Sequence, residues 1–342
     1  MARMCVLGGG LVGSFVACTL HERKHVVRVV DSEPLKGLPT EIETIQSRVG
    51  VENLVDLVGD FDVVINCLPG RIGHSIRALL VAIEGMRVAD LAFTAEDPRF
   101  LDSIAKENAS ILVYDVGIAP GLSNAFLKAA ERDLGALDSA KIWVGGNPQK
   151  PDDEWSYMAP FSPSDVIEEY TRPARIRRNG QNVTEPALSE RHLIPVPGYG
   201  SMEAFLTDGV RSLLDTIDSQ ELLEYTVRWP GHIDRYLSGQ DSEEELIEAW
   251  KFDPDRPEFT WLYVVVKKGE HTQGWSVMDE GVGPWSSMAR TTGLVTVEVA
   301  EMLADGSISD SGVMPPEYLG QHSELLERIV EAMRNEGVQI HS

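Results

Sequence analysis

Met4-Cys5-Val6-Leu7-Gly8-Gly9-Gly10-Leu11-Val12-Gly13 is the stretch that decides the fold of this chain. A short apolar run leads into glycines spaced G-x-G-x-x-G (Gly8, Gly10, Gly13). Leu11 and Val12 then open a segment in which Val12, Phe15, Val16, Thr19 and Leu20 recur at helical spacing. Each glycine answers a physical need: Gly8 permits a tight turn, Gly10 lets backbone approach a pyrophosphate, and Gly13 lets helix and strand pack closely. The amides and dipole of the helix N-terminus favour two phosphates. Asp31 stands 18 residues beyond Gly13, just past the apolar run 26–30. A carboxylate there accepts hydrogen bonds from an adenosine ribose and repels a 2′-phosphate, so the pattern predicts a dinucleotide site that favours NAD over NADP.

Outward from this motif the rhythm repeats. Residues 4–7, 26–30, 63–67, 87–91 and 111–116 read as short strands rich in Val and Ile. Ile72, Ile76, Leu79, Leu80 and Ile83 mark a helix between two of them, as do Phe100, Leu101, Ile104 and Ala105. Strand, helix, strand at this spacing means a parallel sheet with helices on its faces. The fold class is α/β, a Rossmann dinucleotide-binding domain. In such sheets ligands lie at the carboxyl ends of strands, which places Cys67, Leu68 and Pro69 near the cofactor ribose. Cys67 reads as a nucleophile or as a small apolar residue, and no neighbour in sequence would activate it. The run 115–124, from Asp115 and Gly117 to Asn124, ends a strand, turns through Pro120 and Gly121, and starts a helix. It is either an ordinary turn between domains or a set of amides able to hold a substrate carboxylate.

Beyond residue 125 the pattern changes. Residues 140–144, 222–229, 260–267 and 274–282 look like longer strands, with one helix near 202–216, and the second domain reads as α+β. The acidic run 241–248 reads as a solvated helix start. Two helices close the chain, the first stopping at Gly306. Arg228 and His232, in Arg228-Trp229-Pro230-Gly231-His232, follow a strand. An Arg beside a His could bind a carboxylate and move a proton; a lone His is equally a structural residue. No histidine spacing suits a metal, and no metal site is expected.

Composition bounds the rest. At 342 residues the chain suggests more than one domain. Its 30 Lys+Arg against 54 Asp+Glu give a net charge of −24, which repels a phosphate backbone and excludes nucleic acid as a partner. Three cysteines fit neither a zinc site nor a disulfide framework and suggest a reducing compartment. No run is long and apolar enough for a membrane span. The glycines among the first thirteen residues disfavour a signal peptide. A cytoplasmic location is expected, with no membrane partner.

These residues together carry a resemblance. Gly8–Gly13, VVINCLPG (63–70), DVGIAPGLSN (115–124), VGGNP (144–148), Tyr170, EAFLTDG (203–209), RWPGH (228–232), SMARTTG (287–293) and GVMPPE (312–317) run in order through nearly the whole chain. So read, the chain resembles the saccharopine dehydrogenase family, most of all its lysine 6-dehydrogenases. The resemblance implies a Rossmann domain over 1–124 and an α+β substrate-binding and dimerisation domain over 125–285. It also implies C-terminal helices over 286–342 that pack back on the Rossmann domain, and a homodimer or higher homo-oligomer. It implies NAD(P)-dependent chemistry at the CH–NH of an amino acid or diamine. It places substrate contacts at Phe93 and Thr94, Gly145 and Gly146, Ser201, and Arg228. Ala119 stands where saccharopine reductases of the fungal type carry an acid, which weakens saccharopine as the substrate.

The expectation is therefore oxidative deamination of L-lysine at its ε-amine, with Arg228 on the substrate carboxylate and His232 moving a proton. Asp90, ending the strand 87–91, is a second candidate for an ammonium contact. Two alternatives stand beside it. One is a reductase that condenses an aldehyde with an amine, of saccharopine or carboxynorspermidine dehydrogenase type. The other is a non-catalytic NAD(H)-binding protein.

Overall fold

The computed structural model describes residues 1–342. Six strands come first: β1 (Arg3–Leu7), β2 (Val26–Asp31), β3 (Glu43–Gln46), β4 (Val63–Asn66), β5 (Arg87–Asp90) and β6 (Ile111–Tyr114). Then follow β7 (Leu137–Pro148), β8 (Ala174–Arg178), β9 (Gln181–Glu185), β10 (His192–Val196), β11 (Gly200–Leu206) and β12 (Ser219–Arg228). The last four are β13 (Glu258–Lys268), β14 (His271–Asp279), β15 (Gly312–Met314) and β16 (Gln339–His341). The chain divides into two compact units. One comprises Met1–Leu122 and Thr292–Ala332, the other Ser123–Thr291 and Met333–Ser342.

The first unit is Rossmann-like. Its seven strands are parallel, in the order β15-β6-β5-β4-β1-β2-β3. A parallel sheet is covered on both faces, so its strands must be apolar throughout. Met4–Leu7 and Val63–Ile65 are accordingly fully buried. Cys5, Leu7, Val64, Ile76, Leu80, Val88, Leu112 and Tyr114 share one core. The chain runs outward from β1 to β3, then returns to place β4 on the other side of β1. That reversal of strand order is where such sheets open a crevice for ligands.

Two segments remote in sequence complete this unit. The strand β15 pairs with β6 as the seventh strand. Arg23, on the helix Leu11–Glu22, pairs with Glu298 and Glu301, and Arg328 reaches Glu298 at 3.0 Å and Asp305 at 2.7 Å. These ion pairs tie the C-terminal helices to the first helix of the sheet. Gly293 allows the approach, because a Cβ there would fall 2.4 Å from the ring of Phe15.

The second unit holds a mixed nine-stranded sheet, β10-β11-β12-β7-β13-β14-β16, with β8 paired to β12 and to β9. Only β7 and β12 run parallel to each other. The helix expected near 202–216 is not there. Residues Gly200–Leu206 form β11, and the helix is confined to Leu213–Thr216. Met202, Phe205, Leu206, Val210 and Leu213 imitate a helical stripe because a strand buried on both faces runs into a turn. The turn itself is broken at Arg211, whose φ is +51°. The hairpin β8–β9 and the strand β10 were also not anticipated, since this stretch is charged, polar and largely exposed. The acidic run does start a helix, Glu243–Ala249, which Ser242 and Glu245 close with a reciprocal capping box. The helix Ser287–Asp305 stops before Gly306, at φ +83°. No helix is long and apolar enough to cross a membrane.

Candidate functional site

In the first unit the loops leaving the strands are stitched in line. Gly8 N donates to Val30 O (2.8 Å), Cys67 N to Leu7 O (2.8 Å), Leu91 N to Asn66 O (2.9 Å) and Val116 N to Asp90 O (3.2 Å). The glycine turn and the loops after β4, β5 and β6 therefore exit on the same edge of the sheet. The glycine turn is shaped by close approach. Gly8 sits at φ +96°, and a Cβ there would lie 2.8 Å from Cys67 O; one on Gly13 would lie 1.9 Å from Gly8 O. Gly10 differs, being exposed with nothing within 4 Å of a built Cβ.

That open point stands at the N-cap of the helix Leu11–Glu22. The helix has no side-chain cap and no acid in its first turn. Its leading amides thus face open space beside Gly10, Leu11 and Val12, which a phosphate can enter. The Asp31 carboxylate is pinned beside the turn, accepting from Gly9 N at 2.7 Å and from Glu33 N at 2.9 Å. A turn that side chains would fill, with an anchored acid next to it, fits a dinucleotide.

Behind this edge lies a buried polar knot. Asp90 is inaccessible to solvent and ion-paired with Arg77 Nε. It also accepts from Asn66 Nδ2 (3.0 Å) and Ala92 N (2.9 Å). Burial raises its carboxyl pKa against the pull of Arg77. Arg77 reaches on to Thr94 Oγ1 (3.0 Å) and Ala92 O (2.7 Å). The structure thus joins Asp90 and Thr94 through one guanidinium, and the Asp90 carboxylate faces protein on all sides. The carbonyl of Phe93 lies against the start of the helix Gly70–Val81, where a Cβ on Gly70 would fall 1.9 Å from its oxygen. Burial pushes the Cys67 thiol well up, so it carries no thiolate near neutral pH. Leu68 and Pro69 follow it as the lead-in to the helix Gly70–Val81.

The turn after β6 is tight. Asp115 has φ +53°, the Ala119–Pro120 peptide is cis, and Gly121 has φ +136°. A Cβ on Gly121 would fall 1.9 Å from Gly117 O, and Leu122 N donates to that same oxygen at 2.9 Å. The carbonyl of Val116 accepts from Thr296 Oγ1 at 2.9 Å.

The second unit contributes a buried cation. Arg228 ends β12 and is 3% exposed, yet no carboxylate pairs with it. Its acceptors are neutral: Tyr170 Oη (2.8 Å), Val227 O (3.0 Å) and, more weakly, Tyr157 Oη (3.4 Å). The guanidinium also lies over the Tyr157 ring, 4.5 Å from its centroid. Burial works against its charge, but the Tyr157 and Tyr170 hydroxyls and Glu169 more than offset this and raise its pKa. An arginine so placed is solvated by oxygens that carry no full charge, and it has capacity for an anion.

His232 stands beside it, first in the helix His232–Leu237. Its Nδ1 lies 3.0 Å from Trp155 O, and its Nε2 lies 3.1 Å from Tyr170 Oη. Since Trp155 O can only accept, Nδ1 carries the hydrogen and Nε2 accepts from Tyr170, whose oxygen accepts from Arg228 in turn. Burial, with Arg228 nearby, drives the His232 pKa down to about 3. The ring is neutral with both nitrogens engaged, an arrangement that orients Tyr170. Gly145 and Gly146 run alongside on β7; a Cβ on Gly145 would lie 2.3 Å from Val227 O. Ser201, on β11, is exposed.

Sequence reasoning did not single out Tyr157, Trp155 or Trp250, which box His232 at ring-centroid distances of 4.9, 5.7 and 5.5 Å. Nor did it single out Glu169. An Arg-x-x-x-His pair at a strand end was visible; the segments that fold over it were not.

The model of the saccharopine dehydrogenase C-terminal domain matches residues 117–242 and 242–338. The chain belongs to the saccharopine dehydrogenase family. It is a saccharopine dehydrogenase-like amino-acid oxidoreductase. Among solved structures it is similar to apo histidine-tagged saccharopine dehydrogenase (L-Glu forming) from Saccharomyces cerevisiae. The TM-score is 0.74 at 15% identity, over 100% of this chain and 99% of that one, which is a likeness of fold. The C. glutamicum DAP dehydrogenase in complex with DAP matches over 95% of each chain at 9% identity, with a TM-score of 0.47. An engineered D-amino acid dehydrogenase bound to NADP+ matches over 95% of each chain at 11% identity and 0.48.

Proposed function

We propose that this protein is an NAD-dependent dehydrogenase that oxidises L-lysine at its ε-amine. The observation that carries the reading is Arg228, a buried cation whose hydrogen-bond partners are all neutral. A site prepared for an anion in a dehydrogenase of amino acids is most simply a site for the substrate carboxylate. Ala119 supports lysine over saccharopine, because it stands where the resemblance to fungal-type saccharopine reductases would place an acid.

Gly8, Gly10, Leu11, Val12 and Gly13 would hold NAD, with Asp31 for its ribose, and the bound cofactor would supply a hydride acceptor. The chain's own part is to bind and orient. Tyr170 and Tyr157 hold the guanidinium of Arg228, and His232 fixes the hydroxyl of Tyr170. A substrate carboxylate taken up by Arg228 is thereby set in one place, which fixes how far its chain reaches. Leu68, Pro69, Phe93, Asp115 and Gly117 line the strand ends of the cofactor-binding unit, with Asp90 and Thr94 anchored behind them.

The test is NADH formation with L-lysine, saccharopine, ornithine and carboxynorspermidine, each offered with NAD and with NADP. Turnover of lysine with NAD and release of ammonia is the expected result. Activity confined to secondary amines would replace this reading with the condensing reaction. NADH binding without any turnover would replace it with a non-catalytic role.

A further inference from the structure

Glu169, Thr226, Thr207 and Glu224 form an unbroken chain in the second unit. Thr226 Oγ1 lies 2.5 Å from Glu169 Oε1, Thr207 Oγ1 lies 2.8 Å from Thr226 Oγ1, and Thr207 Oγ1 lies 2.6 Å from Glu224 Oε2. Three oxygen–oxygen contacts at these lengths need three hydrogens. The two threonine hydroxyls supply two. The third must sit on a carboxyl, so one of the two glutamates is protonated. Gly209 N also donates to Glu224 Oε2, at 3.2 Å, with its own hydrogen. Gly209 leaves room for this, since a Cβ there would fall 2.5 Å from the Glu224 carboxyl.

The two ends of the chain are unequal. Glu224 is buried, and its neighbours are acidic: Glu169 from the helix Pro163–Thr171, and Asp208 from the turn after β11, which Arg175 of β8 neutralises at 2.8 Å. Burial pushes Glu224 up to about 8. Glu169 is half-exposed and immediately precedes Tyr170, which holds Arg228. The Arg228 cation acts on it electrostatically, and the hydroxyls of Tyr157 and Tyr170 are the other groups that interact with it there. The proton therefore rests on Glu224 and the negative charge on Glu169. On β12, Glu224, Thr226 and Arg228 alternate onto one face, so this single charge is delivered beside the arginine.

We propose that Glu169 and Glu224 share one proton through Thr226 and Thr207, and that Glu169 thereby presents one negative charge that receives the α-ammonium of a substrate whose carboxylate is held by Arg228. The pair of charges reads an α-amino-acid head group, with the reacting amine elsewhere on the molecule. This rests on the function proposed above and deepens it from a carboxylate to a zwitterion.

Two measurements test it separately. The first uses no substrate. Infrared difference spectra of the whole protein at neutral pH, wild type against Glu224→Gln, should show a protonated-carboxyl stretch that the variant lacks and that shifts in heavy water. No difference would overturn the shared proton. If Glu224→Gln does not fold, Thr226→Val cuts the chain at its middle and should lower the pH at which that stretch disappears; an unchanged titration would overturn it equally.

The second measurement compares L-lysine with 6-aminohexanoate, which keeps the carboxylate and the terminal amine but lacks the α-amine. Wild type should favour lysine in KM, and Glu169→Gln should erase that preference by raising the lysine KM at least about 30-fold while leaving that for 6-aminohexanoate in place. Calorimetric binding of the two ligands to the NADH-loaded protein gives the same comparison if lysine is not turned over, which keeps this idea separable from the proposed reaction. A preference that survives in Glu169→Gln would overturn the role of Glu169.

Discussion

Replacing Arg228 by methionine should separate binding from stability. A buried charge that no carboxylate hydrogen-bonds in the free protein contributes to recognition when the site is filled and costs desolvation when it is empty. In the free protein the guanidinium is met by one good neutral hydrogen bond to Tyr170, one to Val227 O and one long contact to Tyr157. Those gains of about 1.5–3 kcal/mol per hydrogen bond to a charged group are set against a desolvation cost of several kcal/mol. Methionine fills much of the same volume, and Tyr170 keeps its donor bond to His232. The net change in unfolding free energy should stay within about 1 kcal/mol, well below the 2–5 kcal/mol of an ordinary core truncation. Loss of a hydrogen-bonded, buried charge partner costs about 2–5 kcal/mol in binding, which is roughly 30-fold to several thousand-fold in kcat/KM. The assay is steady-state NADH formation with L-lysine and with 1,5-diaminopentane, which lacks the carboxylate. Lysine should lose that factor and the diamine almost nothing. Equal losses on the two amines, or a variant that unfolds many degrees early, would refute the assignment of Arg228 to a carboxylate.

Gly10 and Gly13 should respond oppositely to alanine. Gly10→Ala has space and should leave thermal unfolding almost unchanged while weakening NADH in a fluorescence titration; Gly13→Ala must push against Gly8 O and should lower the melting temperature. Asp31→Ser removes the carboxylate beside the glycine turn and should move the NAD:NADP ratio of kcat/KM towards NADP by at least about tenfold. Arg77→Leu strands the inaccessible Asp90 carboxylate and should cost about 3–5 kcal/mol in chemical denaturation, much of it recovered when Asp90→Asn is added. Stability should also fall as pH rises. Glu224 keeps its proton up to about 8 in the native state, whereas the unfolded chain releases it from about 4.5. Between those values the native state binds more protons, so each pH unit removes up to about 1.4 kcal/mol through this group. A Glu224→Gln variant should flatten that slope in a pH series of denaturation curves.

The first unit was legible because its information is local. One run of ten residues held strand, turn and helix start, and Asp31 lay at a fixed distance along the same chain. The parallel strands bury both faces, so apolar runs alone marked β1, β2, β4, β5 and β6. The second unit spreads its information. Its β11 lies between β10 and β12, and its apolar residues fell at spacings that match a helix as well as a strand. Arg228 and His232 were visible as a pair, but the acceptors that define their states, Tyr170, Tyr157 and Trp155, come from a different stretch of chain. The proton chain is more dispersed still. It joins residues 169, 207, 224 and 226, no two of them nearer than two positions, and no periodicity connects a helix with two strand regions.

The seventh strand of the first sheet has a consequence for synthesis. The edge of β6 is completed by Gly312–Met314, about two hundred residues further along the chain. At roughly 5–20 residues per second, a ribosome needs about 10–40 s to make that stretch. Throughout that interval the nascent first unit carries an open strand edge, and Arg23 waits for Glu298 and Glu301. Translation speed and access of chaperones to that edge therefore bear on the yield of this protein more than on its final stability.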